Sequence, residues 1–118
     1  RSAYGNTPWF IHYIDDIASV ILARHDRLVD LNLATMRMGL KWLGLATTLD
    51  VSAAYVEATE DHQDLRTTLH PKKPLPPALS ALPAYAQVFA DRYGHQPRQS
   101  VIDLVCNMGP AARQALLA

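Results

Sequence analysis

Asp103 and Asn107 stand one helical turn apart in Ser100-Val101-Ile102-Asp103-Leu104-Val105-Cys106-Asn107, so a helix presents both on one face. A carboxylate facing a cleft can act as a general base, and an amide beside it can position a substrate. The same Asp103 three residues after Ser100 also reads as part of a capping box, with its carboxylate satisfying backbone N–H groups. Arg66, His70, Lys72 and Lys73 form the best candidate for holding an anion, since Arg offers a fork for phosphate or carboxylate. The plainer reading of Pro71-Lys72-Lys73-Pro74 is a solvated linker. His70 is the second candidate for acid–base work, and its alternative is a hydrogen-bonding loop residue. Tyr85 and Gln87 could line a ligand site, although Tyr85 and Phe89 at i, i+4 could simply pack. Asn32 lies among apolar neighbours in Leu31-Asn32-Leu33, where a buried amide needs partners, structural or ligand. Asp30, two residues earlier, points about 160–200° away on a helix and is expected to pair with Arg27 or Arg37 or to be solvated.

Other chemistries find little support. The histidines show no HxH or HExxH spacing, so no metal site is expected. Glu57, Glu60, Asp61, His62 and Asp64 read as a solvated loop before a divalent-ion site. Cys106 reads as core and not as a nucleophile. There is no P-loop and no G-x-G-x-x-G, and the sequence implies no particular cofactor.

The elements that must position these residues are mostly helices. Thr7-Pro8 is a helix start, and Phe10, Ile14, Ile17 and Ile21 recur at helical spacing over about 16 residues. Asp26 can cap a second helix from Arg27 to Leu43, apolar around most of its axis, that ends at Gly44 with a left-handed cap. Leu45 to Tyr55 has β-prone residues but no clean alternation, and at most a short strand pair is expected there. Pro71, Pro74, Pro76, Pro77 and Pro83, five of the eight prolines, make an extended strap. A third helix is expected from Ala84 to Tyr93, stopping at Gly94. A fourth starts after Ser100 and ends at Gly109, and a last one runs from Ala111 to Leu117. The fold class is mainly α, with α+β as the alternative. The organisation is a helical pair over 1–44, an irregular segment and strap over 45–83, and C-terminal helices over 84–118.

With 118 residues the chain is one domain or part of one. Eleven basic and eleven acidic side chains cancel, and basic patches interleaved with aromatics are absent, so nucleic acid is not an expected partner. One cysteine fits a reducing, cytoplasmic setting. No apolar run reaches the roughly 18 residues of a membrane span.

Three segments resemble the WbqC-like family. Ala3-Tyr4-Gly5-Asn6-Thr7-Pro8-Trp9-Phe10 with Tyr13 is similar to the family's aromatic entry into a helix. Leu28-Val29-Asp30-Leu31-Asn32, followed by Trp42-Leu43-Gly44, is similar to its second motif. Asp64-Leu65-Arg66, His70-Pro71-Lys72-Lys73, Tyr85-Ala86-Gln87-Val88-Phe89 and Ser100 to Pro110 match its third region in order and spacing. Gln99 and Cys106 depart from the family's usual Leu and aromatic residue. The resemblance implies a strand-rich N-terminal half in longer members, ahead of where this sequence starts. It also implies a role in making O-antigen or a related surface polysaccharide, with aminoacyl transfer such as glycine to a sugar as a suggested reaction. A nucleotide sugar or glycan precursor would then be the ligand. Arg66, Lys72 and Lys73 would hold an anionic group, Asp103 would serve as base or orienter, and Gln87 and Asn107 would position the substrate. The alternatives are a helical interaction module, self-associating as a homo-oligomer or docked on a partner, and an inactive remnant. Convergence of the polar residues on one pocket would favour an enzyme.

Overall fold

The computed structural model describes residues 2–57, 59–66, 68–77 and 83–117. It divides into two units, one formed by residues 1–49 and 83–118, the other by residues 50–82. Among the described residues the regular structure is helical and no strand is formed, so the fold is mainly α.

Helix α1 spans Phe10–Ile21 and α2 spans Leu28–Leu43. The Thr7 start is displaced. Its N–H and hydroxyl both reach the Tyr4 carbonyl, at 2.9 and 2.5 Å, so Thr7 closes a turn and α1 begins two residues after Pro8, uncapped by any side chain. Asp26 does not cap α2 either. Arg27 occupies that position, and its guanidinium grips Asp30 at 2.9 and 3.1 Å. Asp30 therefore has the partner expected of it, in the first turn where the helix dipole favours an anion. Gly44 ends α2 as expected, at φ 63°. Its N–H donates to Lys41 and that of Leu45 to Leu40, the paired bonds of a Schellman stop.

The two helices are locked by a polar contact as well as by packing. Trp42 Nε1 donates to Asp16 Oδ2 at 2.8 Å, and Tyr13 meets the Trp42 ring edge-on at 5.2 Å. Asp16 thus satisfies the one polar side-chain atom of a large residue packed on the core. Residues 45–49 pass into irregular chain, within the expectation of at most a short strand pair.

The helix expected from Ala84 shrinks to α3, Ala90–Tyr93. Residues 85–88 stay irregular because their polar groups are committed to distant side chains, described below. α4 spans Val101–Met108; Ser100 Oγ caps it by accepting the Ile102 N–H at 3.2 Å. A 3-10 turn, Gly109–Ala111, leads into α5, Ala112–Leu117. Leu43, Leu104, Val105 and Ala112 form the centre of the core, with Tyr13, Trp42 and Tyr85 packed on it. Cys106 is fully buried and burial pushes its thiol up, in keeping with a core residue.

Gly109 joins α4 to the chain's start. Trp9 N–H donates to the Cys106 carbonyl at 3.1 Å, laying the indole over Gly109 so closely that a Cβ there would fall 2.2 Å from the ring. The residue also sits at φ 56°, where a side chain is strained.

In the 50–82 unit the described residues up to 76 run through turns and extended chain, as expected of the strap; residues 78–82 of the strap lie outside the described residues.

Candidate functional site

The polar residues of 84–107 are brought together by tertiary structure. Asp103, half-buried on α4, accepts hydrogen bonds from the Tyr85 hydroxyl and from Gln87 Nε2, the latter at 3.0 Å, both on Oδ2. Its carboxylate is therefore not the return arm of a capping box; it turns to residues 85–87, while Ser100 caps the helix alone. Asn107, buried, takes the Val88 N–H on Oδ1 at 2.9 Å and gives Nδ2 to the Asp103 carbonyl at 2.8 Å. Gln87 also brackets the Gln96 backbone, accepting its N–H at 2.8 Å and donating to its carbonyl at 2.9 Å. Tyr85 stacks edge-on against His95 at 5.2 Å and receives no packing partner from the expected i, i+4 helix with Phe89.

Gln87, Asp103 and Asn107 border a cleft of about 170 Å³. Tyr4, Gln87, Phe89, Gln96, Asp103 and Asn107 are among its walls. Burial, with the Asp103 hydrogen bond behind it, pushes the Tyr85 phenol up to about 12. Burial and then the Asp103 charge raise Tyr4 as well. Both phenols thus stay protonated at neutral pH, and Tyr85 acts as a donor that fixes the carboxylate. Tyr4 and Gln96 were not singled out from sequence. The aromatic entry motif containing Tyr4 was the available signal; nothing in the sequence marked Gln96.

Asn32 is not part of this group. It is exposed on α2, and its backbone carbonyl accepts from the Thr35 hydroxyl at 2.8 Å. The expectation of a buried amide fails because the apolar residues around α2 are themselves unevenly covered: Leu28 is 72% exposed while Met38 and Leu43 are buried.

Arg66, His70, Lys72 and Lys73 lie in the 50–82 unit. The Arg66 fork is already filled: Nε and Nη2 meet the two Asp64 oxygens at 2.9 and 2.7 Å, and the guanidinium lies 4.4 Å from the centre of the Tyr55 ring. Those hydrogen bonds hold the Asp64 carboxyl at about 2. His70 Nδ1 accepts the Lys72 N–H at 3.1 Å, which assigns the proton of the neutral ring to Nε2. His70 thus shapes the turn that carries Lys72 and Lys73. Among the described residues no three His, Cys, Asp or Glu side chains gather to hold a metal ion, and no helix is long and apolar enough to cross a membrane.

The model of the WbqC-like protein family matches residues 1–72. That stretch includes the turn bearing Tyr4 and the basic segment through Lys72, whereas Tyr85, Gln87, Asp103 and Asn107 follow it in the chain. No curated protein and no solved structure matches the chain.

Proposed function

The chain belongs to the WbqC-like protein family, and from that premise we propose that it acts in building a surface polysaccharide such as O-antigen, with the Asp103 cleft as its sugar site. The observation that carries this reading is the Asp103 carboxylate held by Tyr85 and Gln87 at the wall of a cleft lined by amides and aromatic rings. Carboxylate and amide groups answer sugar hydroxyls, and aromatic faces answer sugar C–H faces. A volume of about 170 Å³ suits one sugar residue more than an extended glycan.

In this reading Asp103 takes or orients the acceptor's proton, and Gln87 and Asn107 hold the geometry. For a glycyl transfer, the acceptor oxygen attacks the carbonyl carbon of an activated glycyl donor, an ester or thioester. The proton passes to Asp103, and the bond to the donor's leaving group breaks with its electron pair. Separately, in the 50–82 unit, Lys72 and Lys73 are the candidates for holding an anion, and Arg66 joins them only by exchanging Asp64 for it. His70 contributes by shaping that turn.

The test is a thermal-shift scan of the chain against nucleotide sugars, simple sugars, glycine and divalent ions. A sugar that binds the folded state stabilises it by about 2.7 kcal/mol at a hundredfold excess over Kd and so raises the midpoint. The expected result is a rise with sugar that Asp103→Asn reduces. A cooperative melt that no sugar moves overturns the reading. It would favour a helical interaction module instead, for which the exposed Ile11, Leu22 and Leu28, at 73, 82 and 72% exposure, supply apolar surface. Sedimentation equilibrium then distinguishes a homo-oligomer from a monomer awaiting another partner.

A further inference from the structure

We propose that the ligand of the Asp103 cleft carries a protonated amine, so that its sugar is an amino sugar and not a phosphorylated or neutral one; this rests on the reading of the cleft as a sugar site. The argument is one of charge balance. Asp103 is the one charged side chain among the described residues lining the cleft. Its side-chain hydrogen bonds involve the Tyr85 and Tyr4 phenols and the Gln87 amide, all neutral, so they orient the carboxylate without cancelling its charge. The ion pairs among the described residues are Arg24–Asp26, Arg27–Asp30 and Arg66–Asp64, and none involves Asp103. His95 faces Tyr85 and has its Nε2 against the Tyr85 N–H.

A half-buried carboxylate without a counter-ion is costly, and a ligand that supplies the cation recovers that cost. Hydrogen bonds between an ammonium and a carboxylate are roughly twice as strong as neutral ones. Tyr4 and Tyr93 add aromatic faces to the wall, and such faces attract cations. The same field repels a phosphate, for which the lining offers no Lys or Arg. Gln96, Gln99 and Asn107 also border the cleft and supply amides suited to the remaining hydroxyls.

The experiment is calorimetric titration of the chain with glucosamine, N-acetylglucosamine, glucose and glucose 6-phosphate under one buffer. Glucosamine is expected to bind about tenfold or more tightly than glucose or N-acetylglucosamine, and the phosphate ester weakest of the four. Asp103→Asn is expected to bring glucosamine down to the level of glucose. Should glucose and N-acetylglucosamine bind as tightly as glucosamine, or the phosphate ester more tightly, the amine assignment falls while the sugar cleft stands. If none of the four binds, both fall. The wild-type series alone decides between these outcomes, so the assignment does not depend on the folding of the variant.

Discussion

The polar residues of the two units are held in opposite ways. At the Asp103 cleft of the helical unit the partners are far apart in sequence: Gln87 with Asp103, and Val88 with Asn107, separated by 16 and 19 residues. In the 50–82 unit they are neighbours: Arg66 with Asp64 and Lys72 with His70, two residues apart in each case. A contact across many residues exists only while the core between its ends is formed, whereas a contact across two residues survives local rearrangement. The first arrangement preorganises a site; the second satisfies charges on a turn. Charge at the two candidate sites follows the same division: Asp103 has no cation against it, whereas Asp64 is closed on Arg66.

The largest expected effect breaks the long-range side of this contrast. Gly109→Ala drives a Cβ into the Trp9 indole at a backbone angle unsuited to it. It should destabilise the helical unit by about 2–4 kcal/mol in a denaturant titration; an unchanged midpoint would mean the ring moves aside freely. Next comes Asn107→Ala, which strips the Val88 N–H of its acceptor. A loss of about 1–3 kcal/mol is expected, with the Val88 amide exchanging hydrogen faster than those of α4. Equal protection in the variant would show that this bond does not hold the 85–88 segment.

Tyr85 sharpens the contrast through pH. Its phenol is raised from the ordinary 10.0 to about 12 by burial and by Asp103. The folded state therefore holds this proton more tightly than the unfolded chain. The stabilisation is complete below pH 10 and is lost as pH climbs towards 12. Tyrosinate absorbance should show Tyr85 ionising late, and Tyr85→Phe should remove that late step and flatten the alkaline loss of stability. The smallest effect is Arg66→Ala. The Asp64 carboxyl, held at about 2, should rise toward 3.8 in a carboxyl-resolved NMR titration. Whatever stability the pair contributes is present above the ordinary carboxyl range and lost as pH falls through about 2. The melt of the helical unit should be nearly unaltered, because exposed pairs contribute little.

What could be read from sequence follows the same line between local and distant causes. The Gly44 stop, the Ser100 cap and the Arg27–Asp30 pair are decided within a few residues, and each is found. The one-turn spacing of Asp103 and Asn107 put them together correctly. The helix expected over 84–93 was lost mostly to tertiary bonds, since Tyr85, Gln87 and Val88 each give a donor to α4. Neither that competition nor the link from Asp16 to Trp42, 26 residues away, leaves a local mark. The exposure of Asn32 is not legible in sequence, because a helix apolar on most sides does not say which side is covered. The filled Arg66 fork was in plain view, as Asp64 is two residues before it, yet residue type alone suggested an open anion site.

Trp9 and Trp42 are the chain's two tryptophans, and both lie in the helical unit. One rests on Gly109 and the other donates to Asp16, each at a junction that exists only in the folded helices. Indole emission is therefore an optical signature confined to that unit and blind to residues 50–82. Followed beside far-ultraviolet circular dichroism, it gives this protein a built-in reporter that tells loss of the site's scaffold from loosening of the proline-rich segment, without any label.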